Sequence, residues 1–237
     1  MKYTLHKAKD RGKAEHGWLH SRFSFSFADW YDPNRMGFGT LRVINDDVID
    51  PDSGFDLHPH NNMEIITIVM EGSITHTDSM GNQEVVPAGD VQVMSASTGV
   101  VHSEHNNSLD ETLKLFQIWV HPKSRNIVPR YDQKSFGIEW PSDTVQLLVS
   151  PDGRDNSLSI HQNAFISRSS LTAHKKWTYT SYDEKHGVYI LVVDGNITID
   201  ESTLTERDAL GIEESGAIDI IANENSRYII FEVPIEI

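Results

Sequence analysis

Short runs of β-branched and aromatic residues, each closed by glycine, proline, asparagine or aspartate, most constrain what this chain can fold into. Residues 41–49, 64–70, 73–76, 91–94 and 113–120 are of this kind, and their lengths suit sheet strands. Asp78-Ser79-Met80-Gly81-Asn82 and Pro87-Ala88-Gly89-Asp90 supply turn residues between them. Almost no stretch sustains the 3.6-residue period of an amphipathic helix, so the fold class is all-β, a sandwich or a barrel.

A second set of strand-like runs follows at 158–161, 177–182, 188–193, 196–199, 217–221 and 228–233. Residues 123–157, punctuated by Pro129, Pro141 and Pro151, read as a surface connection with one strand at 145–149. The two sets resemble each other: Ile68-Val69-Met70-Glu71-Gly72-Ser73-Ile74-Thr75 lies on Leu191-Val192-Val193-Asp194-Gly195-Asn196-Ile197-Thr198. This suggests a duplicated β domain, divided as residues 1–128 and 129–237.

The chemistry concentrates in the first half. In an extended strand, alternate side chains leave the same face, so His58 and His60 point together, as do His102 and Glu104. If the two strands lie side by side, three imidazoles and a carboxylate converge. Such a set binds a borderline divalent metal and leaves positions open for substrate. Laying Gly72 on Gly195 puts Ser181 and Asp183 where the first half has His58 and His60, and no second His-x-Glu follows. One metal is therefore expected, in the first half only.

Composition narrows the function classes. With 20 basic and 35 acidic side chains the net charge is -15, which repels phosphate backbones and argues against nucleic-acid binding. Lys2, Lys7, Lys9, Arg11 and Lys13 are interrupted by Asp10 and Glu15 and read as a solvated face. The chain has no cysteine, which removes disulfides, thiolate metal sites and cysteine nucleophiles. No apolar run is long enough for a bilayer span or a signal segment, so a soluble, cytoplasmic protein is the expectation, and separately a monomer.

Two motifs then carry a family resemblance. Gly54, His58, His60, Glu64 and Gly72 resemble the first cupin motif, and Gly81, Pro87, Gly89, His102 and Asn106 the second. Gly54 stands closer to His58 than that pattern has it, and twelve residues instead of two separate Gly89 from His102. With these departures, HPHNNMEI, DSMGNQEVVPAGDVQVMSA and TGVVHSE look like the pirin family, as do Phe23-Ser24-Phe25-Ser26-Phe27-Ala28 and 41–47. The likeness is strong over residues 16 to about 130.

That resemblance implies two tandem cupin (jelly-roll β-barrel) domains, with metal, usually iron, in the N-terminal one. It implies His58, His60, His102 and Glu104 as ligands of Fe(II), with Mn, Ni, Cu, Zn or Co as alternatives. Glu64 competes for the carboxylate position: it shares parity with His58 and His60, and general cupins use it, whereas the pirin pattern favours Glu104. The implied activity is quercetin 2,3-dioxygenase, in which a flavonol is cleaved by dioxygen with release of carbon monoxide; at such a site Glu104 is expected to act as general base on the substrate hydroxyl. The alternative is a regulatory protein whose iron site senses redox state and biases a surface for a protein partner.

Several further residues draw attention. Phe23, Phe25 and Phe27 alternate and are expected in the core. Arg42, Asp46 and Asp47 read as a surface network, His76 as a histidine near the barrel, and Asn106 as a cap on the turn after its strand.

Overall fold

A computed structural model describes residues 2–213 and 216–236. Helix among them is confined to two single turns, Ala8–Asp10 and Arg154–Asn156, and the rest of the regular structure is strand. The sheets come in two pairs, each a seven-stranded sheet facing a four-stranded one.

In the first pair, the large sheet runs in the order Arg130–Ser135, Asp90–Ser95, Glu64–Glu71, Leu113–Val120, Leu41–Ile49, Leu19–Phe23 and Gly12–Glu15. Its small partner runs Gly54–His60, Val100–Asn106, Ser73–Asp78 and Gln83–Pro87. Pro59 has no N–H to give, so its strand suits only a sheet edge, which is where Gly54–His60 lies. The second pair repeats the plan, with His186–Asp194, Ser226–Pro234 and Phe165–Leu171 inside the large sheet and Lys176–Thr180, Ala217–Ala222, Asn196–Ile199 and Ser202–Thr205 in the small one.

The period of two sorts each large sheet into two faces. Ile44, Ile118, Ile66 and Val93 stand directly opposite one another across four strands and are all buried. They join Phe25, Phe116, Tyr189 and Phe231 in one core that spans both halves, so the two large sheets pack face to face. On the opposite face of the same strands runs a different row: Phe23, Asn45, Gln117, Thr67, Gln92 and Gln133, each opposite the next. This face looks into the N-terminal sandwich, and its polar middle sets the level of the candidate site.

Two strands cross between the halves. Lys2–His6 pairs with Ala209–Glu213, and Arg130–Ser135 pairs with Asp90–Ser95. The basic stretch at the N-terminus is therefore not simply a solvated face. Lys7 bonds Asp208 at 2.8 Å, and the buried Arg11 bonds Asp46 at 3.1 Å. Asp46 also receives Arg207 at 2.7 Å, tying the two halves together at one carboxylate.

The duplication is real in the pairing but differs by two residues from the sequence alignment. His58 pairs with His102, and in the second half Tyr179 pairs with Ile218 at the equivalent place. Ile74 opposes Asn106 as Ile197 opposes Ala222, which puts Ile220 where the first half has Glu104. Tyr179, rather than Ser181, is thus the counterpart of His58. The reason is the connection to the next strand, three residues long after His60 and five after Thr180. Tyr179, Ile218 and Ile220 are buried and belong to the apolar core that fills the second sandwich.

Candidate metal centre

His58 and His60 reach the sandwich interior from the edge strand, and His102 and Glu104 from its neighbour. The register steps by one residue between His102 and Glu104, and Gly54 lies against that step. A Cβ at Gly54 would stand 2.4 Å from the Glu104 carbonyl oxygen, so only glycine lets the two strands approach there.

The three imidazoles meet. Ring centroids are 4.4 Å apart for His58 and His102, 4.8 Å for His58 and His60, and 4.9 Å for His60 and His102. Hydrogen bonds at Nδ1 orient the His58 and His102 rings. His58 Nδ1 donates to the Asp56 carbonyl oxygen at 2.8 Å, leaving Nε2 as an acceptor. His60 Nε2 and His102 Nε2 are buried with no hydrogen-bond partner. Burial and the neighbouring imidazoles lower His60 to about 4 and His102 to about 3, so both rings are neutral at pH 7. Neutral rings whose Nε2 atoms have no other partner are what a divalent cation requires.

Behind His102 a second chain of bonds sets its tautomer. Asp78 accepts the Met80 and Asn82 amides at 2.8 and 3.1 Å and the Asn82 side chain at 2.8 Å. Burial opposes its charge, but these bonds and that from His76 hold the carboxyl below the usual range. Asp78 accepts from His76 Nε2 across 3.1 Å, which in a neutral ring leaves Nδ1 as the acceptor. His102 Nδ1 lies 3.4 Å away and supplies the hydrogen, which turns the His102 Nε2 lone pair toward the other imidazoles. Tyr131 stacks on His76 at 4.6 Å and keeps the ring in place.

Glu104 is buried and held from two sides. Gln92 Nε2 donates to one carboxylate oxygen at 2.9 Å and Gln117 Nε2 to the other at 2.7 Å. Each oxygen keeps a further lone pair. The donors form two overlapping groups sharing His102: His58, His60 and His102, and His76, His102 and Glu104. These are the groups found among the described residues, and both lie in the N-terminal half. Glu64 has no place in either. The connection of residues 61–63 carries the chain into the other sheet, so the parity it shares with the histidines does not persist. Glu64 accepts Ser95 Oγ at 2.7 Å, and burial raises its pKa.

His58, His60 and Glu104 line one end of a cavity of about 310 Å³. Trp18, Phe23, Phe27, Phe55 and Trp119 give it apolar walls. Phe25 alone of the three alternating phenylalanines enters the main core, because the strand ends at Phe23 and the following loop turns Phe27 back to the cavity. Asn45, Asp47 and Ser21 interrupt those walls. Asp47 is buried instead of lying on the surface; burial raises its carboxyl to about 7, partly offset by a hydrogen bond from Ser21. Asn106 fastens the turn after its strand, donating to the Ile49, Asp50 and Glu111 carbonyls and accepting the Ser108 amide.

Known proteins resemble this chain along its whole length. Residues 4–120 match the family model described as Pirin, and residues 147–233 that described as the quercetinase C-terminal cupin domain. The "Quercetin 2,3-dioxygenase" of Escherichia coli strain K12 is 48% identical over 97% of this chain and 98% of its own. The "Pirin-like protein" of Caulobacter vibrioides is 40% identical over 93% and 95%. The crystal structure of the bacterial pirin YhhW from Escherichia coli in complex with nickel(II) has a TM-score of 0.92 and 47% identity, covering 98% of this chain and 99% of that one.

Proposed function

Because this chain belongs to the pirin family, we propose that its N-terminal cavity houses a metal-dependent dioxygenase of the quercetin 2,3-dioxygenase type, cleaving flavonols with dioxygen. The observation that carries the reading is the convergence of the His58, His60 and His102 imidazoles, the latter two neutral and with orphaned Nε2 atoms, beside a cavity that His58, His60 and Glu104 line. His58, His60, His102 and Glu104 would hold the cation. An imidazole and carboxylate set suits Fe(II), which we propose as the native metal, and equally the nickel(II) named for the related bacterial pirin.

When bound, the cation supplies Lewis acidity that makes a hydroxyl of the substrate more acidic. The protein does the rest. Glu104, with Gln92 and Gln117 fixing its plane, has a carboxylate oxygen lone pair available to take the hydroxyl proton. Trp119, Phe23 and Phe27 flank the flat ring and keep water from the reacting carbon atoms. A cavity of about 310 Å³ is at the lower end of small-molecule sites and accommodates one fused aromatic ligand.

The test is the gas balance. Metal-loaded protein given a flavonol should release one carbon monoxide for each dioxygen consumed, and His102→Ala should fall to the rate of protein-free oxidation. Equal rates in the wild type and the variant would remove the metal centre from the reaction.

A further inference from the structure

The aromatic walls of the cavity carry a polar patch that none of the metal chemistry uses. Asn45 is only 3% exposed, lines the cavity, and its Oδ1 has no hydrogen-bond partner. A buried amide left unbonded is costly, and such groups in folded proteins are generally satisfied by something. Asp47 lies two residues along the same strand and so on the same face, about 7 Å further on. It is also 3% exposed and lines the cavity, with Ser21 donating to its Oδ1.

The sheet register relates this patch to the metal centre. Asn45 stands directly opposite Gln117, whose amide bonds Glu104. Asp47 stands opposite Leu115, one step further from that level. A flat ligand with its acidic hydroxyl at Glu104 would therefore run past Asn45 toward Asp47.

We propose that Asn45 and Asp47 form a hydroxyl-recognition edge, which selects phenolic substrates carrying a hydroxyl on a ring remote from the metal. The assignment rests on the flavonol reading above and adds to it the feature of the substrate that the protein recognises. Asn45 accepts the phenolic hydrogen at its orphaned carbonyl, and Asp47 offers the second acceptor.

Calorimetry on the nickel-loaded protein, under anaerobic conditions so that no turnover intervenes, tests the idea. The probes are a fully hydroxylated flavonol, analogues lacking the hydroxyls of the fused or of the pendant ring, and their O-methyl ethers. At least one deletion should weaken binding to the wild type about ten- to a hundred-fold, with the matching methyl ether no better. Asn45→Leu and Asp47→Leu, checked for unchanged nickel content, should bind parent and analogue alike. Equal binding of all probes by the wild type would overturn the recognition edge while leaving the flavonol site intact, and this arm needs no variant. Discrimination surviving in both leucine variants would do the same. If no flavonol binds at all, the flavonol reading fails and takes this inference with it.

Discussion

His76→Phe probes how the protein prepares His102. Phenylalanine keeps a ring against Tyr131, where the present rings stack at 4.6 Å, but removes both nitrogens. The His102 Nδ1–H then loses its acceptor at 3.4 Å, and Asp78 loses a donor at 3.1 Å. His102 is 1% exposed, so water does not readily replace the bond. Flipping or switching tautomer would satisfy the ring elsewhere, at the expense of the Nε2 lone pair facing His58 and His60. Loss of such an outer partner weakens metal binding about 10- to 100-fold, which corresponds to roughly 1.4–2.7 kcal/mol. Competition against a chelator of known affinity reads this directly. Nitrogen NMR of the metal-free protein should show His102 protonated at Nδ1 in the wild type and a mixture in the variant. Wild-type metal affinity in His76→Phe, or a wild-type His102 protonated at Nε2, would refute the argument.

Other outcomes follow from the same geometry. Glu104→Gln should lower metal affinity by at least about 100-fold and abolish turnover, because a neutral amide is a poor ligand and no base, while Glu64→Gln should retain its metal in elemental analysis. The metal-free protein should lose stability in acid. His60 and His102 have folded values of about 4 and 3, below the unfolded 6.5, so their contribution is complete above pH 6.5 and fades as pH falls toward 3 in denaturant titrations. Asp47 has the opposite sign: its folded value of about 7 exceeds 3.8, so its contribution is complete below pH 3.8 and lost as pH rises through 7. Asp47→Asn should therefore gain stability relative to wild type above pH 7, by at most about 4 kcal/mol. Glu232→Ala removes the acceptor of Tyr179 at 2.6 Å, of the Tyr182 and Asp183 amides at 3.0 Å, and a partner of His186 at 2.9 Å. Its unfolding midpoint should fall by about 3–5 kcal/mol equivalent.

The strands that sequence reading found were those rich in β-branched and aromatic residues, whether buried on both faces or on one. Leu41–Ile49 and Leu113–Val120 are where the β-branched run places them. Lys2–His6, Gln83–Pro87 and Arg130–Ser135 are polar edge or near-edge strands, and their pairing partners rather than their composition make them strands. The His-x-His and His-x-Glu spacings made the clustering of His58, His60 and His102 legible, because strand parity alone turns these side chains to one face. What escaped was the row behind them. Gln92 and Gln117 each sit at an inward position in an otherwise apolar strand, and a polar residue at that parity was the available signal. Asp47 was misread because Asp46 beside it does face the inter-half ion pairs, and adjacent residues on a strand point to opposite faces. Glu64 turns away from the histidines for a related reason: parity holds within a strand and not across a connection.

The proposed centre is a single cation held by the N-terminal imidazoles and Glu104, with the equivalent C-terminal positions closed by Tyr179, Ile218 and Ile220. Calorimetric titration of the metal-free protein with a divalent metal tests it most directly. One tight site per chain is expected, abolished by His60→Ala and untouched by Tyr179→Phe. A stoichiometry of two, or a tight site that survives His60→Ala, would contradict it.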